Sequence, residues 1–111
     1  MKDVIHVKQG SSLIQKILDG KTLDLLFKGI TIEGMIIKLD PASGFTETFK
    51  HKGEEVHFIL EGEVEFTIGG VSYFCSEGDV IWHNSDLEHS AKNVGSGPAR
   101  YLSIMTPPAF M

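Results

Sequence analysis

Hydrophobic and polar positions along this chain alternate more often than they recur at helical spacing. Val64-Glu65-Phe66-Thr67-Ile68 runs with period two, as a strand with one covered face does. Gly69-Gly70 follows, and Val71-Ser72-Tyr73-Phe74-Cys75 runs back, which predicts a tight hairpin. Residues 31–39 carry apolar and β-branched side chains and stop at the turn cluster Asp40-Pro41-Ala42-Ser43-Gly44. Residues 56–60, 80–82 and 99–105 read as further strands, set off by Glu61-Gly62, Ser76-Glu77-Gly78-Asp79 and Gly95-Ser96-Gly97-Pro98. Pro107-Pro108 ends regular structure. Strands are also expected at residues 3–7 and 22–28. Residues 11–18 read two ways. Leu13, Ile14, Ile17 and Leu18 fit one face of a short helix, with Ser12 and Gln15 as a capping box. Asp19-Gly20 between two apolar runs favours a hairpin, and strand is the reading taken. Turn signals recurring about every 8–12 residues predict an all-β sandwich or barrel.

Composition narrows the class. A chain of 111 residues makes one domain. With 41% hydrophobic and 23% charged residues it has the makings of a packed core. The net charge of −5 and the lack of a Lys/Arg cluster argue against a nucleic-acid partner. The single cysteine, Cys75, rules out an intramolecular disulfide and a CxxC metal site. It is expected as a buried thiol. Uninterrupted apolar runs reach three residues, too short for a membrane-crossing helix, and the N-terminus lacks a signal-peptide core. The expected location is the cytoplasm, with no membrane contact.

The candidate chemistry lies in the histidines. Of five, His51, His57, His83 and His89 fall within one window, which also holds Glu54 and Glu55. Imidazole nitrogens with a carboxylate oxygen suit iron, manganese, nickel, zinc or copper. Strand parity puts Glu55, His57 and Ile59 on one face. Parity does not fix His51, which precedes the bend Lys52-Gly53-Glu54. His89 follows the loop at 84–88 on another strand, and barrel closure would bring it across. His83, directly after Trp82, reads as a rim or core histidine, and His6 as a surface one. Glu61, Glu63 and Glu65 read as a solvated strand face. No dinucleotide fingerprint, phosphate loop, nucleophile elbow or Cys–His pair occurs.

These residues carry a resemblance. From Gly44 to Asn93 the chain resembles the cupin superfamily, small barrels of the double-stranded β-helix or jelly-roll type. In the first cupin motif a glycine precedes a His-x-His pair, a glutamate and a second glycine. Gly44, His51, Glu55 and Gly62 fit it, with Gly44 one residue closer to the pair than usual. In the second motif Gly78, His89 and Asn93 fit, while Asn84 and Asp86 replace its proline and glycine. Phe49 stands where the first motif histidine belongs. The resemblance covers residues 31–108, leaves 1–30 as N-terminal strands or arm, and is closest to the C-terminal sensor domains of helix-turn-helix regulators. The 30 residues ahead of the barrel are too few and too little basic for such a DNA-binding domain, so a free-standing cupin is expected.

The resemblance implies a divalent transition metal (Fe, Mn, Ni or Zn) held by His51, Glu55 and His89. His57 would be the fourth ligand in place of the histidine lost at Phe49. The alternative stays open that Phe49 ends metal binding and the polar groups hold a ligand or water directly. Phe49, Ile59, Tyr73 and Trp82 are the expected pocket residues, and Glu54 and Tyr73 weak candidates for proton transfer. The expected function is binding of a metal and a small organic ligand inside the barrel. Dioxygenase, decarboxylase, isomerase or lyase chemistry would be an extension of it, and catalysis is left open. The alternative is a metal-free small-molecule sensor; a structural role with a vestigial site has no feature demanding it. A homodimer is expected from the family and from apolar edges on the N-terminal strands.

Overall fold

The computed structural model describes residues 3–109 and contains strands with no helix among them. The strands are β1 Ile14–Leu18, β2 Lys21–Lys28, β3 Glu33–Leu39, β4 Glu54–Glu61, β5 Glu63–Ile68, β6 Val71–Ser76, β7 Val80–Asn84, β8 His89–Asn93 and β9 Ala99–Thr106. They form a six-stranded sheet, β1-β2-β3-β9-β4-β7, and a three-stranded sheet, β6-β5-β8. Every pairing is antiparallel. Two layers of short strands closing on one core is the barrel expected of a jelly roll.

Period-two alternation decides which side chains meet. On the inner face of the larger sheet, register lines them up in rows across strands. One row joins Leu23, Ile37, Tyr101 and Ile59. The next joins Leu25, Met35, Ser103, His57 and Ile81, and the next Glu33, Met105, Glu55 and His83. On the smaller sheet Val64, Phe66 and Ile68 stand opposite Asn93, Ala91 and His89. The apolar rows, with Leu39, Val64, Ala91 and Ala99, form the core. The polar rows lie to one side of it, and that offset creates the site.

Residues 11–18 settle as strand: Ile14–Leu18 pairs with Lys21–Leu25 around Asp19-Gly20. Residues 3–7, expected as a strand, are not one. Val4 and Ile5 are exposed, with no covered face to bury them. The connection from β3 to β4 bridges to β8 at Gly44–Lys92 and Phe49–His89. It then reaches the β7–β8 loop, where His51 N donates to Ser85 O and Ser85 N to Gly53 O. These bonds carry His51 to the site without a strand. Gly53, at φ 127°, allows the last step: a Cβ there would lie 1.7 Å from the Thr106 carbonyl oxygen.

Candidate functional site

Glu55 is the hub. β4 turns it inward, and it is 5% exposed. Its Oε2 lies 3.0 Å from His51 Nε2 and 2.9 Å from His89 Nε2, and accepts the Ser85 hydroxyl at 2.8 Å. Its Oε1 lies 3.7 Å from His57 Nε2. His57 Nε2 in turn faces His83 Nε2 at 3.1 Å. Two residue groups therefore share Glu55: His51 with His89, and His57 with His83.

Each imidazole has its other nitrogen turned outward to a fixed partner. His51 Nδ1 faces the Lys52 carbonyl at 3.3 Å, His83 Nδ1 that of Asn84 at 3.1 Å, and His89 Nδ1 that of Leu87 at 2.8 Å. His57 Nδ1 meets Ser103 Oγ at 2.6 Å. Such outer bonds set ring orientation and tautomer, as they do around bound metals. The His57 ring also stacks on Phe66, centroids 4.8 Å apart, and meets Tyr101 edge-on.

Electrostatics follow from this enclosure. Burial pushes the Glu55 carboxyl up, but the His89 hydrogen bond, the charges of His57 and His89 and the Ser85 hydroxyl outweigh it and hold it at about 2. Burial lowers His57 to about 4, against the pull of Glu55 and with repulsion from His83 and His89. Burial lowers His83 as well. His89 rises despite burial, because Glu55 and the Leu87 carbonyl favour its protonated form. Burial, then the Glu55 charge, pushes the Tyr101 hydroxyl up.

The cluster lines a cavity of about 560 Å³, within the range of small-molecule sites. Leu23, Met35, Ile37, Phe45, Phe49 and Met105 give it apolar walls, and Lys16 and Lys21 also line it. Lys21 Nζ donates to the Gly44 carbonyl at 2.8 Å and sits 5.2 Å from the centre of the Phe45 ring.

His51, Glu55, His57 and His89 all come together here. Phe49 lines the cavity, its ring edge-on to Phe45. The other expected pocket residues stand elsewhere. Ile59 is fully buried in the core, one inward step beyond His57. Trp82 is exposed because β7 turns His83 inward instead; its Nε1 donates to Glu54 at 3.0 Å. Tyr73 is half exposed on β6, an edge strand whose covered residue is Cys75. Glu54 is exposed as well, so neither proton-transfer candidate reaches the cavity.

Sequence reasoning missed His83, Ser85 and Ser103. Parity from Trp82 would have flagged His83, had Trp82 been assigned to the outside. The two serines carried no sequence signal.

The donor set fits a first-row divalent ion, since one carboxylate and several imidazoles are borderline ligands. Separations of 2.9–3.1 Å are those of hydrogen bonds. They also match the roughly 3.0 Å edge between neighbouring ligands on an octahedral ion with bonds of about 2.1 Å. This group of residues can hold a metal ion.

Comparisons with known proteins give the chain its family. The family model of the Cupin domain matches residues 35–105. The HTH-type transcriptional regulator PuuR of Escherichia coli K12 is 37% identical over 70 residues, 63% of this chain and 38% of the regulator. The chain thus spans well under half the length of that relative. An RmlC-like cupin from Shewanella frigidimarina NCIMB 400 superposes with a TM-score of 0.80 at 20% identity, over 97% of this chain and 96% of the other, a likeness of fold. A predicted oxalate decarboxylase from Thermotoga maritima gives a TM-score of 0.71 at 26% identity, over 79% and 81% of the two chains. The family match runs from β3 into β9 and takes in Glu55 with all four imidazoles around it, so the chain belongs to the cupin domain family.

Proposed function

We propose that this cupin binds one divalent transition metal ion at Glu55 and a small organic ligand in the cavity beside it. One observation carries the reading: four imidazole Nε2 atoms gather around a single buried carboxylate at the cavity wall, each ring fixed from outside. His51, His57, His83 and His89 are the imidazoles available to hold the ion with Glu55. A bound ion would supply Lewis acidity, polarising an oxygen of the ligand. The protein's own part is to bind, orient and keep water away. Met35, Ile37, Phe45, Phe49 and Met105 present an apolar wall, and the Lys21 amine beside Phe45 favours a ligand bearing an acid group. The Thermotoga maritima protein, named for a small dicarboxylic acid, is in keeping with this class.

The test is elemental analysis of untagged protein, prepared without chelator, loaded with divalent metals and desalted. About one ion per chain is expected, lost in Glu55→Gln while circular dichroism shows the fold intact. Wild-type protein without stoichiometric metal would refute the reading.

A second reading has its own support. The regulator match covers 38% of that protein, and Phe49 adds apolar wall where the motif has a histidine. This favours a metal-free sensor acting through a separate partner. Saturable small-molecule binding that survives complete metal removal, without turnover, would select it.

We also propose a homodimer through β1. Among the described residues this strand pairs on one side only, and it exposes Ile14 and Ile17, with Leu13 beside them. Light scattering at the mass of a single 12.2 kDa chain would refute it.

A further inference from the structure

The two oxygens of Glu55 are not equivalent. Oε2 already meets His51, His89 and the Ser85 hydroxyl within 3.0 Å. That side is a closed ion-pair and hydrogen-bond network, satisfied without a metal. Oε1 has as its ion-pair neighbour among the described residues His57 Nε2 at 3.7 Å, beyond hydrogen-bond reach. On this side His57 and His83 point their Nε2 atoms at one another, 3.1 Å apart.

Burial sets His51 apart as well, while His89, its side chain 12% exposed, is enclosed. Glu55, His57 and His83 are each 4–5% exposed and stand on paired strands. His51 has a side chain 31% exposed and sits on a connection, its outer contact stretched to 3.3 Å. Phe49, not a histidine, occupies the neighbouring motif position. The His57 ring, enclosed against Phe66 and Tyr101, and the buried Glu55 and His83 beside it carry a desolvation cost that apolar side chains would avoid. A bound ion gives that arrangement a use.

We infer that the metal position of this cupin is displaced to the Oε1 side of Glu55, with His57 and His83 as its imidazole ligands. The inference rests on the metal reading above and specifies the residues that serve it. One carboxylate does not neutralise two dications a few ångströms apart, so the two groups around Glu55 compete for one ion. Ser103 is a positioning residue, acting through His57. In the metal-free protein the Asn84 carbonyl takes the Nδ1 proton of His83. His83 Nε2 then accepts from His57 Nε2, and His57 Nδ1 accepts the Ser103 hydroxyl proton. On loading, the proton between the two rings moves to His57 Nδ1, where Ser103 Oγ accepts it, so no proton leaves the protein. Both rings line the cavity, so a ligand there can reach the ion.

The test uses cobalt(II) as probe, with affinity from its visible spectrum and stoichiometry from elemental analysis. One ion per chain is expected in wild type. His83→Phe and His57→Phe should weaken binding at least about 100-fold, and His51→Ala less than about 10-fold. His83→Gln keeps a polar group of similar bulk in case the phenylalanine variant does not fold. In wild-type protein the largest cobalt-induced NMR shifts should fall on His57, His83 and Ser103, and this arm needs no variant. Retention of metal in both His83 variants would overturn the inference, as would a loss in His51→Ala equal to theirs; the metal reading itself would stand. No stoichiometric cobalt in wild type would overturn both.

Discussion

Replacing His57 should change how the metal-free protein responds to acid. The ring is 5% exposed and held at about 4, while in the unfolded chain it titrates near its ordinary value of 6.5. Its folded value is the lower one, so as pH falls the unfolded state takes up the proton first. The stability contributed by the neutral ring is complete above pH 6.5 and is lost progressively towards pH 4. Linkage over that interval gives a loss of about 2 kcal/mol by pH 4.5. For a domain of this size that is a melting-temperature drop of about 10 °C. His83 acts in the same direction. Glu55 acts lower, its contribution present above 4.5 and lost as pH falls towards 2. His89 has the opposite sign: its contribution is complete below 6.5 and lost as pH rises through its higher folded value. The assay is urea unfolding of chelator-treated, dialysed protein at pH 7.5 and 4.5, wild type beside His57→Phe. The variant's absolute stability at either pH is not the readout, since Ser103 loses a partner in both. The difference between the two pH values should shrink by about 2 kcal/mol in the variant. Equal differences in the two proteins would show that His57 is not held neutral by its surroundings.

Four further substitutions have expected outcomes. Gly53→Ala places a Cβ 1.7 Å from the Thr106 carbonyl at a φ of 127°, and should cost about 3 kcal/mol or more in denaturant melts. Gly78→Ala, where a Cβ meets nothing within 4 Å, should cost only about 1 kcal/mol of backbone strain, and equal losses at both glycines would contradict the close approach. Ser103→Ala should weaken metal binding about 10–100-fold in a competition titration, because His57 loses the partner that orients it. Phe66→Ala, removing a ring 3% exposed that stacks on His57, should destabilise the fold by about 3–5 kcal/mol in thermal or chemical melts.

Much of this was legible residue by residue. The Gly69-Gly70 hairpin follows from its turn residues, and the shared face of Glu55 and His57 from period two, each a local property of the chain. The motif spacing carried His51 and His89, which no parity argument would have joined. His83 was lost to a plausible rule applied to its neighbour. Trp82 is large and amphipathic and invites a place at the cavity mouth, yet on an edge strand such a side chain can lie outside against Glu54. Tyr73 failed for another reason. It stands opposite the buried Phe66, but on the outer strand only Cys75, two residues on, is covered. Ser85 and Ser103 matter through pairings across 30 and 46 residues of chain, and register of that kind is a property of the assembled sheet.

The polar rows on β4 have a consequence for how the chain finds its alignment. His57 lies opposite Ser103 on one side and Ile81 on the other; Glu55 lies opposite Met105 and His83. A two-residue slip of β9 keeps every side chain on its proper face and would cost an all-apolar sheet little. In this sheet it would set Tyr101 or Met105 against His57 and strand a buried imidazole. A slip of β7 would take His83 away from Glu55. Each misthreaded sheet therefore carries an unsatisfied polar group, several kcal/mol above the native one. An apolar replacement of the whole cluster would gain burial energy and lose this discrimination, so the same residues that offer a metal its ligands also tell the strands where to stop sliding.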